Sequence, residues 1–205
     1  HLEREAFDTK HVKTLVLDEF DKSLEIGFEG EMIDILDSLT HLEKKVLTSA
    51  TQEFKVPAFV GLKNPERINF LHESVKKLEI KKIVVSNDLL QGLADSLKAI
   101  GNKPGIIFCN YKDTIAGISE FLKARNISHG LFYGGLEQKD RERALIKFRN
   151  GTHQLLLATD LAARGIDVPE IKFIIHYELP HREQEFIHRN GRTARMNSDG
   201  TAYVL

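Results

Sequence analysis

Eight residues near the end of the chain concentrate groups that bind phosphate. The stretch His188–Arg195 holds three arginines, one histidine and a single glycine, Gly191. A guanidinium carries a permanent charge and a planar set of donors that matches phosphate oxygens. A glycine lets the backbone turn or approach another group closely. These residue types predict a phosphate-binding site, although a solvated basic helix end would have the same composition.

Other polar residues follow directly after short apolar runs. Three such places occur: Asp18 and Glu19 after Leu15–Leu17, Ser49–Thr51 after Val46 and Leu47, and Thr159 and Asp160 after Leu155–Ala158. In open parallel sheets, ligands bind at the carboxyl ends of the strands. Two adjacent carboxylates there suit Mg²⁺ and a water-activating base in phosphoryl transfer. An acidic strand end without catalytic function is the alternative.

A regular alternation of strands and helices would position these residues. Apolar runs predict strands at 12–17, 45–48, 67–71, 81–85, 105–109, 128–133, 154–158, 172–177 and 201–205. Helical spacing and capping residues predict helices at 30–39, 54–62, 88–100, 113–125, 137–148 and 182–190. Short apolar strands separated by helices indicate an α/β fold, in which helices cover both faces of a parallel sheet.

Charge divides the chain into an acidic first part and a basic second part. Residues 1–75 carry 9 Lys and Arg against 15 Asp and Glu, whereas residues 76–205 carry 20 against 15. A polar stretch at 72–78 marks the change, so we expect two domains, 1–73 and 74–205. The second is the better candidate to bind a polyanion. Chance scatter of charge over two surfaces would produce the same imbalance.

Several classes of protein are excluded or disfavoured by composition. A single cysteine, Cys109, excludes an internal disulfide framework and favours a reducing, cytoplasmic location. The apolar runs are too short to span a membrane, so no membrane partner is expected. The first residues, His1–Glu5, contain neither a methionine nor a signal peptide, which predicts that the chain begins within a longer protein.

Six motifs in order resemble the DEAD-box family of RNA-dependent ATPases and helicases. They are Leu15–Asp21 (the DEAD motif), Ser49–Thr51 (SAT), Ile106–Asn110, Gln138–Arg141 (Gln-x-x-Arg), Ala158–Asp167 (ATD-x-x-x-RG-x-D) and His188–Arg195 (HR-x-GR-x-x-R). The resemblance covers essentially the whole chain. It implies RecA-like parallel sheets flanked by helices, in one partial and one nearly complete domain, with ATP and Mg²⁺ as cofactors.

The resemblance also implies roles for residues at the nucleotide. Asp18 would hold Mg²⁺ through its water shell, and Glu19 would orient or deprotonate the attacking water. Arg192 and Arg195 would be arginine fingers for the γ-phosphate, where guanidinium charge stabilises developing phosphoryl charge. Asp167 would meet the ATP ribose, with Gly165 beside the nucleotide.

Two further sets of residues are implied by the family. Coupling of nucleotide to RNA would fall to Asp21, Ser49, Thr51, His188 and Arg189. Of these, His188 and Arg189 would contact the acidic motif and the SAT region. The RNA backbone would lie along Gly135, Gln138, Arg141, Thr159 and Arg164. Phosphate and 2′-OH contacts of that kind bind strongly without reading base sequence.

The departures from the family pattern limit these expectations. Phe20 stands where the motif has alanine, and a bulky ring near the site would alter domain coupling. No Gly-x-x-x-x-Gly-Lys-Ser/Thr stretch occurs in the 205 residues, so the chain is expected to be a helicase fragment that is inactive alone. The alternatives are a non-catalytic RNA- or protein-binding module and a related DNA helicase. A truncated sheet edge in the first domain predicts self-association.

Overall fold

The computed structural model describes residues 8–49, 55–69, 78–85, 88–160, 171–193 and 199–205. The chain forms two compact units, His1–Glu73 and Ser74–Leu205. Each has its own parallel sheet and its own hydrophobic core. Among the described helices, none combines the length and apolar character that crossing a bilayer requires.

The part of the first unit that the structure describes is built on two parallel strands. Its elements are β1 (Thr14–Leu17), α1 (Phe20–Ile26), α2 (Glu29–Ser38), β2 (Lys44–Leu47) and a 3₁₀ turn (Ala58–Val60). The register runs from Thr14 opposite Lys44 to Leu17 opposite Leu47. Phe20, Met32 and Val60 form a small buried core against this sheet. The strand β2 and helix α2 lie within one residue of the ranges predicted from the sequence, and β1 begins two residues after the start of its predicted range.

Two predictions for the first unit are wrong. Over the described part of 54–62, the expected helix is only the 3₁₀ turn, because Pro57 is extended and Gly61 (φ +64°) closes the turn. The expected strand at 67–71 is not formed over 67–69, where Ile68 is 70% exposed and gains no burial from extended structure. Helix α1, which follows the acidic pair, was not predicted.

In its described residues, the second unit carries six parallel strands. Its elements are β3 (Leu78–Lys82), α3 (Leu89–Ile100), β4 (Gly105–Phe108), α4 (Lys112–Ala124), β5 (His129–Phe132), α5 (Gln138–Arg149), β6 (Leu155–Ala158), β7 (Phe173–His176), α6 (Glu183–Asn190) and β8 (Gly200–Val204). The strand order is β3-β8-β7-β4-β6-β5. This arrangement confirms the α/β class and the parallel sheet.

Alternate residues of the central strands face opposite layers. In β4, Ile106 and Phe108 belong to the core that includes Ala144 and Phe148 of α5. Ile107 and Cys109 belong to the core formed with α3 and α4. Every residue of β4, β6 and β7 is buried. A continuous apolar run is therefore required in these strands, which is why the sequence revealed them clearly.

In the second unit, the local sequence predicted the start of one helix correctly and the start of one strand wrongly. The Asp88 carboxylate accepts hydrogen bonds from Leu90 N (2.9 Å) and Gln91 N (3.1 Å), which confirms the predicted cap of α3. Strand β3, predicted at 81–85, begins three residues earlier, at Leu78. Its pairing with β8 sets the register, and the apolar Val84 that suggested a strand is 89% exposed.

Candidate functional site

The predicted acidic pair lies in the tight turn between β1 and α1. The Thr48 hydroxyl donates to Asp18 Oδ1, and Glu19 N is 3.1 Å from both that carboxylate oxygen and Thr48 Oγ1. Backbone bonds from Thr48 N to Leu17 O and from Phe20 N to Thr48 O tie the same two strand ends together. Asp18 is exposed, so its carboxylate is fixed at one oxygen and open to solvent.

The backbone at Glu19 adopts the left-handed conformation (φ 47°, ψ 44°). Such a conformation is uncommon for a residue with a side chain and costs about 1–2 kcal/mol. It turns the chain sharply from β1 into α1. The turn leaves Asp18 exposed and Glu19 half-buried, while Phe20 enters the core.

The family-variant residue Phe20 is part of the core. Its side chain is 1% exposed and packs against Phe59 at a ring distance of 6.5 Å. Asp21, in the first turn of α1, is 5% exposed, whereas Ser49 is exposed just after β2. Thr51, the third member of the predicted coupling set in this unit, lies outside the described residues. The effect of Phe20 on coupling stays a prediction.

Arg189 is the centre of a buried network in the second unit. Its Nε and Nη2 donate to the two Asp160 carboxylate oxygens at 2.6 Å each, and Nη2 also donates to Asn110 Oδ1 at 2.7 Å. Nη1 donates to Glu178 O at 2.6 Å, and the guanidinium carbon lies 5.2 Å from the Phe108 ring centre. The side chain is 1% exposed.

These partners all belong to the second unit. Four of the five N–H groups of Arg189 donate to Asp160, Asn110 and Glu178. The expected contact of Arg189 with the acidic motif and the SAT region stays a prediction. The bidentate pair with Asp160 is the strong geometry for this ion pair. Arg189 therefore joins three loops of its own unit, and a coupling role would act through them.

Sequence reasoning missed Asn110 and Glu178 as partners, although a signal was present. Phe108, the last residue of β4, is in register with Ala158 of β6 and His176 of β7, the last residues of those strands. The polar residues two positions further on therefore arrive at the same level of the sheet edge. The Glu178 carboxylate also accepts from Asn110 N (2.7 Å) and Thr114 Oγ1 (3.0 Å).

A buried histidine lies beside the same network, against the Phe108 ring. His176 Nε2 is 3.0 Å from Asn190 Oδ1, and the imidazole stacks on Phe186 at 4.5 Å between ring centres. Burial lowers the pKa of His176 to about 4, and the positive charge of Arg189 acts in the same direction. Burial likewise raises the pKa of the Cys109 thiol to about 12, so this thiol stays protonated.

Two of the residues predicted to bind phosphate, His188 of α6 and Arg192 in the turn after it, are described by the structure. His188 is half-buried, and its Nε2 has no hydrogen-bond partner among the described residues. Arg192 is 9% exposed, and its backbone N–H donates to Arg189 O at 3.1 Å. Arg195 lies outside the described residues, so the predicted pair of arginines is seen only in part.

Four of the five predicted RNA-binding residues lie at one edge of the sheet. Gly135 (φ +95°) follows β5, and Gln138 and Arg141 occupy the first turn of α5. Thr159 follows β6, and its N–H is 3.3 Å from Phe132 O at the end of β5. Arg164 lies outside the described residues, as do the predicted nucleotide contacts Gly165 and Asp167.

Arg141 lies over an aromatic ring and has a donor that is unpaired among the described residues. Its guanidinium carbon lies 5.0 Å from the Phe132 ring centre, which supports the side chain from below. Its Nε is buried and has no hydrogen-bond partner in the described part of the chain. A buried donor without a partner is costly unless a ligand satisfies it.

The acidic turn offers one exposed carboxylate to a hydrated metal ion. Within the described ranges, no group of three or more His, Cys, Asp and Glu side chains is arranged to hold a metal ion. The exposed Asp18 carboxylate instead offers one anchored group to a hydrated ion, and Mg²⁺ usually keeps several waters. The donor set therefore fits the implied cofactor.

Two known protein families match two separate regions of the chain. The helicase conserved C-terminal domain matches residues 87–197, and the DEAD/DEAH box helicase family matches residues 1–59. ATP-dependent RNA helicase eIF4A of Scheffersomyces stipitis is 32% identical over 207 residues, which cover 98% of this chain and 52% of the relative. Eukaryotic initiation factor 4A of Dictyostelium discoideum is also 32% identical, with 97% and 51% covered. The chain spans about half the length of these curated relatives.

Solved structures share the fold. Dbp5 of S. cerevisiae bound to RNA and ADP BeF3 matches 99% of this chain and 55% of its own, with a TM-score of 0.81 and 23% identity, a level that establishes the fold alone. The yeast DEAD-box splicing factor Prp28 matches 99% of this chain and 47% of its own, with a TM-score of 0.59 and 28% identity. With both family matches in the order of the motifs, the chain belongs to the DEAD-box helicase family, whose members bind ATP.

Proposed function

We propose that this chain is part of an ATP-dependent RNA helicase, which couples ATP binding and hydrolysis to RNA binding and duplex unwinding. The observation that carries the proposal is the edge formed by Gly135, Gln138, Arg141 and Thr159. It combines a backbone bend without a side chain, an exposed glutamine, a half-buried threonine and a guanidinium whose Nε has no hydrogen-bond partner among the described residues. Such an edge suits phosphate and ribose oxygens.

At the nucleotide, the proposed roles follow the chemistry of each side chain. Asp18 anchors hydrated Mg²⁺, and Glu19 orients or deprotonates the attacking water. Bound Mg²⁺ neutralises charge on the β- and γ-phosphate oxygens. Arg192 and Arg195 supply guanidinium charge to the γ-phosphate. Asp167 and Gly165 contact the nucleotide, while Asp21, Ser49, Thr51, His188 and Arg189 couple it to RNA.

RNA binding by the chain is the first test. Fluorescence anisotropy with a labelled single-stranded RNA should show binding that weakens steeply with salt, because phosphate neutralisation releases counterions. Arg141→Ala should weaken binding and lower the slope of log K against log salt by about 0.7, the contribution of one phosphate on a single strand. Salt-insensitive binding would contradict a surface that follows the backbone.

Arg125→Ala is the matched control for Arg141→Ala. Arg125 also lies over a phenylalanine ring, with its guanidinium carbon 3.5 Å from the centre of Phe121. It caps the C-terminus of α4, which leads back to the start of β5 at the opposite edge of the sheet. RNA affinity and salt slope should therefore be unchanged in this variant. DNA of the same sequence, bound equally well, would favour the alternative of a DNA helicase.

We further propose that these 205 residues alone hydrolyse ATP no faster than background. The proposal rests on the missing Gly-x-x-x-x-Gly-Lys-Ser/Thr stretch, whose backbone and lysine cradle the phosphates. RNA-stimulated phosphate release, compared between the chain and Glu19→Gln, is the measurement. Turnover that disappears in Glu19→Gln would refute it. RNA binding without ATP dependence would support the second candidate, a non-catalytic RNA- or protein-binding module.

A further inference from the structure

Two exposed rings meet at the carboxyl edge of the six-stranded sheet. Tyr111 follows β4, and His181 lies in the loop after β7, the strand next to β4. The Tyr111 hydroxyl is 3.2 Å from His181 Nε2, and the ring centres are 6.2 Å apart with an edge-on angle of 60°. Tyr111 is 56% exposed, which makes it the most exposed Phe or Tyr side chain among the described residues.

The two loops that carry these rings are joined beneath them. Asn110 Nδ2 donates to Leu179 O at 2.9 Å, and Asn110 N donates to the Glu178 carboxylate at 2.7 Å. Arg189 holds both loops through Asn110 Oδ1 and Glu178 O. The backbone beside each ring is therefore held by hydrogen bonds without a ligand, which reduces the conformational entropy lost on binding.

The pair also lies beside the proposed RNA edge. The strand β6, which ends just before Thr159, is the other neighbour of β4, and Phe108 is in register with Ala158. Neighbouring strands are about 4.8 Å apart, so Cys109 and Thr159, which follow these two residues, leave the sheet side by side. Tyr111 comes two residues after Cys109. Leu179, which is 55% exposed, extends the apolar surface beside the rings.

We propose that Tyr111, positioned by His181, is a stacking platform for one nucleobase of a single-stranded RNA. The inference rests on the proposed function, since Gln138, Arg141 and Thr159 would hold the adjoining backbone. An aromatic face accepts any base, so the contact adds affinity without reading sequence. It therefore adds a base contact to a surface otherwise made of backbone contacts.

The test compares an ordinary single-stranded RNA with an abasic RNA of the same length, by anisotropy on the 205-residue chain. The wild-type chain should bind the ordinary RNA more tightly than the abasic one. Tyr111→Ala should weaken binding of the ordinary RNA by about 5- to 150-fold, the range that stacking on one aromatic ring contributes. The same variant should bind the abasic RNA as the wild type does, with an unchanged salt slope.

Two control variants separate stacking from structural damage. Tyr111→Phe keeps the ring and should retain most of the affinity for ordinary RNA, whereas Arg141→Ala should weaken binding of both RNAs. If Tyr111→Ala weakens both RNAs equally, or neither, the stacking platform is refuted. Equal binding of both RNAs by the wild type refutes the platform but leaves the proposed backbone surface standing. A wild type that binds neither RNA refutes the proposed function, and the platform with it.

Discussion

The two sheets of this chain differ in the solvent exposure of the charged residues at their carboxyl edges. In the first unit, Asp18 is exposed, and its carboxylate accepts hydrogen bonds from the Thr48 hydroxyl and from Glu19 N. In the second unit, Arg189 is 1% exposed and is held by groups from three neighbouring loops. The same parallel topology thus leaves the Asp18 carboxylate exposed to solvent. The Arg189 guanidinium is instead buried and links three loops, and we call it a structural joint.

The difference follows from how many strands surround each position. In the described residues, β1 has one partner strand, and Val16 in its middle remains 56% exposed. Strand β4 lies between β6 and β7 with helices on both faces, and Ile107 is fully buried. A buried ion needs partners that replace its lost hydration, and around Arg189 three neighbouring loops supply them. The comparison therefore predicts unequal consequences for substitutions in the two units.

Removal of the Arg189 guanidinium should have the largest effect on stability. Arg189→Met leaves the Asp160 carboxylate and the Glu178 carbonyl without their partner, and the free energy of unfolding of the second unit should fall by about 3–5 kcal/mol. Urea denaturation followed by circular dichroism measures this loss. Arg125→Met, at an exposed position, should change stability by about 1 kcal/mol or less. Equal losses in the two variants would show that Arg189 is not a structural joint.

Core truncation should distinguish the two sheets next. Ile107→Ala creates a cavity in a fully buried strand and should cost about 3 kcal/mol of unfolding free energy. Val16→Ala, in the middle of a half-covered strand, should cost about 0.5 kcal/mol or less. Both values come from the same denaturation experiment. A large loss for Val16→Ala would mean that its side chain is buried in solution.

Acid should destabilise the second unit through His176. Burial holds the pKa of His176 at about 4, below the unfolded value of about 6.5, so the unfolded state binds the proton first. The contribution of neutral His176 to the free energy of unfolding is fully present above pH 6.5 and is lost as pH falls towards 4. At pH 5 the free energy of unfolding should have fallen by about 2 kcal/mol. His176→Asn should remove this part of the pH dependence. Parallel stability curves for wild type and variant would contradict the assignment.

The smallest effect should come from the acidic turn. Thr48→Ala removes the side-chain hydroxyl that fixes Asp18, and the first unit should lose about 1 kcal/mol, as for an exposed hydrogen bond. Thr48→Ser keeps the hydroxyl and should restore most of the stability. The amide resonance of Glu19, followed by NMR, reports on the turn directly, because Glu19 N lies 3.1 Å from Thr48 Oγ1. An unchanged resonance in Thr48→Ala would contradict this contact.

The predictions that the structure confirmed were those that depend on local sequence. The buried runs of β4, β6 and β7 had to be apolar throughout, and Asp88 and Gly101 marked the ends of α3. Errors arose where burial depended on distant partners. Ile68 and Val84 are apolar but exposed, so their strand-like sequences did not form strands there. The self-association predicted from the first sheet's edge, and the cytoplasmic location, stay predictions.

By itself, the sequence determined the family, the α/β class and the order of the motifs, because strand hydrophobicity, helix caps and motif spacing are local properties. The tertiary structure alone decided that Arg189 is a buried joint and that Tyr111 and His181 form a pair. Arg189 and Asp160 are 29 residues apart, and Tyr111 and His181 are 70 residues apart. Only the register of neighbouring strands brings such residues to one level of the sheet edge. That register is set by the packing of the whole core rather than by any local stretch.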